Sequence, residues 1–252
     1  VGVELPIAIL LLVAAGAAGW VDAVAGGGGL IQLPSLLAAG VKLPAAMGVN
    51  KTSSLCGTTA ALIRYARHKH VRWNEVPRCG LLALAGSALG SLGLIEVASE
   101  AKDVLVPVFA VCFLALAAQQ VVKVLRPPAH DPERRRRPAL GYALMFAIGL
   151  YDGFIGPGAG MFLFWTFTTC FALAPLAATG TTKAINVLTN LGALAPLLLR
   201  GHTLWPLALG MAGANVIGGT LGSHAAIRSG AGLVRLVAAL VSVGASVYLL
   251  LR

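Results

Sequence analysis

The chain is a succession of long apolar runs broken by short polar interruptions. Apolar segments fall at about residues 5–25, 28–40, 45–63, 79–97, 104–125, 139–155, 160–173, 184–199, 206–227 and 232–251. They are continuous and rich in Ala, Leu and Gly. A membrane β-barrel would need short strands of alternating polarity, so the pattern predicts helices. A helix crossing the hydrocarbon core needs about 20 mostly apolar residues. The expected fold is all-α, a polytopic transmembrane helical bundle. The first run resembles a signal peptide in length, but it opens Val1-Gly2-Val3-Glu4 with no positive flank and leads into more apolar sequence. It therefore reads as part of the mature protein. No Met stands at position 1, which suggests further residues upstream.

Composition agrees. Of 252 residues, 58% are hydrophobic and 11% charged, against about 25% charged in soluble domains. An ordinary cytosolic domain, a disordered chain and a nucleic-acid-binding module are excluded. An integral protein of the cell membrane, with several crossings, remains. The net charge of +10 is a matter of placement. Eleven of the nineteen basic residues lie in two places. One is the loop 64–78, with Arg64, Arg67, Lys69, Arg72 and Arg78. The other holds Lys123, Arg126 and Arg134 to Arg137. Basic loops favour the cytoplasm, so both should lie inside, and Arg134 to Arg137 also suit anionic lipid headgroups. Glu96, Glu100 and Asp103 in the intervening loop suit the outside. No nucleic-acid partner is needed.

The sequence repeats itself. Asp22 in Gly19-Trp20-Val21-Asp22 matches Asp152 in Gly149-Leu150-Tyr151-Asp152, an offset of 130. After a two-residue insertion the offset becomes 132. Gly48-Val49-Asn50-Lys51 then falls on Gly180-Thr181-Thr182-Lys183, and His70 and Trp73 on His202 and Trp205. Lys, His and Trp are rare here, so their coincidence at one register indicates duplication. Residues 1–126 form the first transmembrane repeat, 127–138 a basic cytoplasmic linker, and 139–252 the second repeat.

Each half carries an interruption at a matching place. Residues 5–40 would span about 50 Å as one helix, more than one crossing can use. Gly26 to Gly29 sit in its middle, and four glycines weaken a helix by about 1 kcal/mol each. The second half has Gly156-Pro157-Gly158, where Pro157 also removes a backbone donor. A Gly-broken helix or re-entrant hairpin is expected in each half. Non-helical backbone at membrane depth needs protein or a cavity around it. Charge cannot orient the second half: parallel repeats put Arg200 and Arg252 inside, inverted ones Arg228 and Arg235, with equal totals. A hairpin plus three later spans per half favours inverted repeats.

Seven of nine acidic residues fall in loops or at the terminus; Asp22 and Asp152 do not. Lys51 and Lys183 likewise lie within apolar segments. An ionised group at the bilayer centre costs at least about 2.5–3.5 kcal/mol, so two matched pairs call for a reason. The lysines can bind an anion or snorkel to the interface. The aspartates can exchange protons, cap a helix or neutralise a lysine. Helical spacing puts Asn50, Ser54 and Thr58 on one face, and Thr182, Asn186 and Asn190 on the matching face. Hydroxyl and amide donors suit an oxyanion, although they also bond between helices in bundles. Glycine-loop amides and helix N-termini add donors. The candidate substrate-binding set is Gly26, Gly27, Gly28, Gly29, Gln32, Asn50, Lys51, Ser54, Gly156, Gly158, Gly160, Thr182, Lys183 and Asn186, with Asp22 and Asp152 as coupling or proton candidates.

Other features read blandly. Cys56, Cys79, Cys112 and Cys170 have no metal-ligand spacing and imply no disulfide. His68 and His70 lie in a basic loop and suggest solvated groups, not a metal. Trp73 and Trp205 read as interface anchors. No P-loop or Gly-x-Ser-x-Gly is present, so neither an enzyme nor a cofactor is expected.

Together, Gly19 to Pro34 (GWVDAVAGGGGLIQLP) resemble the first signature of the TauE/SafE sulfite exporter family of membrane transporters. Gly48-Val49-Asn50-Lys51-Thr52-Ser53 and the basic loop ending near Trp73 also fit. So do Asp152 to Gly160 (DGFIGPGAG) and Gly180-Thr181-Thr182-Lys183 in the second half. The resemblance covers nearly the whole chain. It implies a secondary permease or exporter of sulfite, sulfonates or related organic anions. The partners expected are a small anionic substrate, the bilayer and a second copy in a homodimer. Two alternatives stay open: a membrane scaffold or sensor subunit that transports nothing, and a cation-coupled carrier using Asp22 and Asp152.

Overall fold

The computed structural model describes residues 5–97, 136–230, 232, 233, 236 and 237. Among these it contains eight helices and no strand. They are α1 (Leu5–Ala25), α2 (Gly29–Ala38), α3 (Leu43–Arg67), α4 (Val76–Val97), α5 (Pro138–Phe154), α6 (Ala159–Thr169), α7 (Pro175–Leu199) and α8 (Trp205–Ser229). The apolar segment expected at 104–125, most of that at 232–251, Cys112, and Arg134 with Arg135 lie outside the described residues. The chain is all-helical, as expected. α1, α4 and α7 are each long and apolar enough to cross a membrane.

Matching sequence produces matching local structure. α3 and α7 both open after an extended residue, Lys42 and Ala174, with a proline in the first turn, where its missing N–H costs nothing. Both close the same way. His70 N donates to Tyr65 O at 2.9 Å, and His202 N to Leu197 O at 2.8 Å. The residue between helix and bond is left-handed in each case, Lys69 at φ 60° and Gly201 at φ 71°. These are Schellman-type ends. Arg64 and Arg67 fall in the last turn of α3, where cations favour the helix dipole.

Packing exchanges elements between the halves. α8 crosses α1 where a Cβ on Gly218 would lie 1.9 Å from Gly16 O. α4 crosses α5 at the matching place, where a Cβ on Gly86 would lie 2.3 Å from Phe146 O. Backbones can approach this closely only over glycine. In lipid such close packing, rather than burial from water, holds helices together. α3 and α7 lie antiparallel. Gly48, near the start of α3, abuts His202 O beyond the end of α7, and Gly180 abuts His70 O beyond the end of α3. Arg72 N also donates to Thr181 Oγ1 at 3.0 Å.

Apolar clusters fill the spaces around this crossing. Leu33, Leu36, Met47, Leu94 and Met211 form one. Met145, Leu163, Phe167 and Phe171 form another, with Phe167 and Phe171 in ring contact at 5.4 Å. The outward side chains are apolar too: Leu5, Leu10, Leu81, Leu199 and Leu221 are all exposed. A surface of that kind suits lipid and not water.

Candidate functional site

The site is built where the two broken helices meet. α1 stops at Ala25 because Gly26 adopts φ 83°, and α5 gives way to α6 through Gly156 at φ 92° and Gly158 at φ 86°. An L side chain in that region costs about 1–2 kcal/mol. The expected break is present in both halves. A Cβ on Gly26 would lie 2.7 Å from the Gly160 carbonyl carbon, and one on Gly160 would lie 2.6 Å from Gly26 O. Small residues therefore let the first break rest on the start of α6.

α3 and α7 bring the lysines to this junction, and each pairs with the aspartate of the other half. Lys51 Nζ lies 2.7 Å from Asp152 Oδ1, and Lys183 Nζ lies 3.0 Å from Asp22 Oδ2. Both lysines are buried, so neither snorkels. A buried charge without a partner is strongly destabilising, and pairing across the halves removes that cost. The two pairs differ in their other contacts. Lys183 Nζ also donates to the backbone carbonyl of Asp22, near the end of α1, and Thr58 Oγ1 donates to Asp22 Oδ2 at 3.2 Å. Lys51 and Asp152 have only one another among the described residues.

A cavity of about 30 Å³ lies between the pairs, room for a water molecule or two. Eleven of the sixteen expected residues line it: Asp22, Gly26, Gly29, Asn50, Lys51, Ser54, Asp152, Gly156, Gly158, Gly160 and Asn186. Thr58, Ala159 and Asn190 line it as well. Thr58 and Asn190 stand on the two polar faces that helical spacing picks out, one turn beyond Ser54 and Asn186.

Gly27, Gly28, Gln32, Thr182 and Lys183 do not line it. Gln32 is fully buried elsewhere. Its Oε1 accepts from Asn215 Nδ2 at 2.8 Å, tying α2 to α8. Nothing in the repeat points to Asn215, whose partner position is Ala83. Lys183 is turned away toward the end of α1.

The cavity wall contains unspent hydrogen-bonding capacity. Asn50 Oδ1 is buried with no partner among the described residues, and buried polar atoms are nearly always bonded. Whichever way this carboxamide faces, a polar atom of Asn50 waits for a partner. Lys51 uses one of its three N–H donors.

Away from the site, His68 Nδ1 lies 2.9 Å from Arg64 O. Burial lowers the His70 pKa below its ordinary value, and His68 lowers it further. Among the described residues no three His, Cys, Asp or Glu converge as metal ligands. Trp73 and Trp205 are both exposed, as interface anchors would be.

The model of the sulfite exporter TauE/SafE family matches residues 11–249. The chain belongs to the TauE/SafE family. Similar proteins include a "Probable membrane transporter protein" of a Sinorhizobium species, 34% identical over 95% of this chain and 91% of its own length. Another, of the same description, comes from Escherichia coli and is 31% identical over 92% of this chain and 86% of its own. A third, from Haemophilus influenzae, is 31% identical over 93% and 90%. No solved structure matches. The protein is thus a membrane transporter. In this TauE/SafE chain the two glycine signatures are the two helix breaks, and the two Gly-to-Lys signatures lie on α3 and α7, the helices that cross at the cavity.

Proposed function

We propose that this protein is a multi-pass secondary transporter of the cell membrane that carries small sulfur-containing oxyanions, such as sulfite or organosulfonates. The site is the cavity between the halves 1–126 and 139–252. The observation that carries this reading is the composition of its wall. A buried ammonium with free donors, Lys51, stands beside Asn50, Ser54, Thr58, Asn186 and Asn190. These groups offer N–H and O–H donors beside the Lys51–Asp152 pair, and they suit an oxyanion that takes the place of the carboxylate on the ammonium. A cation carrier would instead have to draw Asp22 or Asp152 away from its lysine.

The halves are read as inverted repeats, with the site near the bilayer midplane. Contacts at the helix ends support this. Arg64, near the end of α3, contacts His224 near the end of α8. Arg200, at the end of α7, pairs with Glu96 near the end of α4 at 3.2 Å. Arg136, before α5, pairs with Glu75 in the basic loop. If that loop is cytoplasmic, α3 and α8 end inside while α4 and α7 end outside.

The test is flux of sulfite, sulfoacetate and taurine in proteoliposomes. The wild type is expected to move at least one of them, and Lys51→Ala to lose at least about 90% of that flux, equivalent to about 1.4 kcal/mol or more. Unchanged flux in Lys51→Ala would refute the site.

A further inference from the structure

Lys51 cannot give its charge to a substrate while Asp152 holds it. The cavity is small, about 30 Å³, and the Lys51–Asp152 contact at 2.7 Å is part of its wall. An anion that takes up the Lys51 charge displaces the carboxylate from the ammonium. Asp152, 5% exposed, would be left as a buried anion with no partner among the described residues. We propose that Asp152 takes up one proton as the anion binds Lys51, so that one proton and one anion are carried together.

This rests on the anion reading above and adds the coupling ion to it. The exchange balances. The anion's oxygen replaces Asp152 Oδ1 on Lys51 Nζ, and Asp152 binds a proton supplied by the buffer of the bulk solution. No other bond is made or broken. For a monoanion the site's net charge is the same before and after, so the cycle moves no net charge. A pH gradient then draws the anion toward the alkaline side.

The surroundings of Asp152 single it out. The charged and titratable groups near it are Lys51 from α3, Asp22 from α1 with its partner Lys183 from α7, and Tyr151 on its own helix, whose hydroxyl donates to Pro157 O at 2.7 Å. α4 meets this end of α5 through Ser87 and Ser91, and α6 brings no ionisable residue. Asp22 is placed differently. It keeps Thr58 as well as Lys183, and Lys183 is anchored on a backbone carbonyl and does not line the cavity. That pair holds the halves together while the other exchanges.

The experiment is calorimetric titration of the purified full chain with methanesulfonate, which stays ionised between about pH 6 and 8. It is run in two buffers of equal pH and different ionisation enthalpy. One proton taken up per anion bound is expected. Affinity should fall as pH rises, by up to about tenfold per unit when one proton is taken up with each anion. In Asp152→Asn the uptake should vanish and affinity become independent of pH. Binding by the wild type without proton uptake overturns the coupling and leaves the anion site standing. Uptake lost in Asp22→Asn but kept in Asp152→Asn overturns the assignment to Asp152. Absence of both heat and thermal shift with methanesulfonate, sulfite and sulfoacetate overturns the anion reading and the coupling with it.

Discussion

Lys183 and Asp22 show how a single charge pair can hold a membrane bundle together. Lys183 is fully buried and reaches both the carboxylate and the backbone carbonyl of Asp22. Removing one partner of a buried pair costs about 3–5 kcal/mol, whereas replacing both with apolar groups of similar size is often neutral. Lys183→Met should therefore destabilise the protein by about 3–5 kcal/mol, read as a lowered midpoint of unfolding in detergent. Adding Asp22→Asn should restore much of the loss. A double variant no more stable than Lys183→Met would show that the pair is not what holds these helices. Sequence symmetry made Lys51 and Lys183 look equivalent. The structure separates them, because one ammonium faces the cavity and the other caps α1. That difference rests on contacts across the halves, and no local pattern records it.

At the level of elements, the helix breaks decide the site's shape. Gly26 and Gly156 both need positive φ, so alanine at either costs about 1–2 kcal/mol in backbone strain. They differ in what a Cβ would meet. At Gly156 the nearest atom is the flexible Met47 Cε at 3.3 Å, while at Gly26 it is the Gly160 carbonyl carbon at 2.7 Å. Gly26→Ala should lower thermal stability more than Gly156→Ala, by about a further 1–3 kcal/mol from overpacking. Thermal melts of the two variants measure it, and equal losses would mean the α6 contact yields. The breaks themselves were legible in sequence, because consecutive glycines and a proline have few helical readings. The start of α7 was not. Apolar patterning placed it near residue 184, but the helix begins at Pro175. Residues 179–183 are mostly polar, and their burial against the other half, not local hydrophobicity, makes them helical. Thr181 Oγ1 illustrates this, bonding back to Ala177 O at 2.7 Å while accepting from Arg72 N.

For the whole molecule, the same swap of contacts bears on the proposed orientation of the second half. α1 runs alongside α8 in one direction, with Gly16 against Gly218 and Trp20 against Gly222. α5 runs alongside α4 in one direction, with Phe146 against Gly86 and Leu150 against Gly90. Basic residues could not choose between parallel and inverted halves because the totals tie, but these pairings support the proposed inverted halves. α4 leaves the basic loop 64–78, and α5 follows it. α8 returns to that loop, where His224 meets Arg64, and α1 follows α8. With the loop inside, these contacts fit α1 and α5 pointing oppositely, as the proposed inverted arrangement requires. Single cysteines at Arg200 and Arg228, both exposed, in a background lacking the four native cysteines, test it with a membrane-impermeant thiol reagent. Arg200→Cys should label from outside on intact cells, and Arg228→Cys only after the membrane is opened. The reverse pattern would require parallel halves. It would also conflict with the Arg200–Glu96 pair, since Glu96 lies at the end of α4 away from the basic loop.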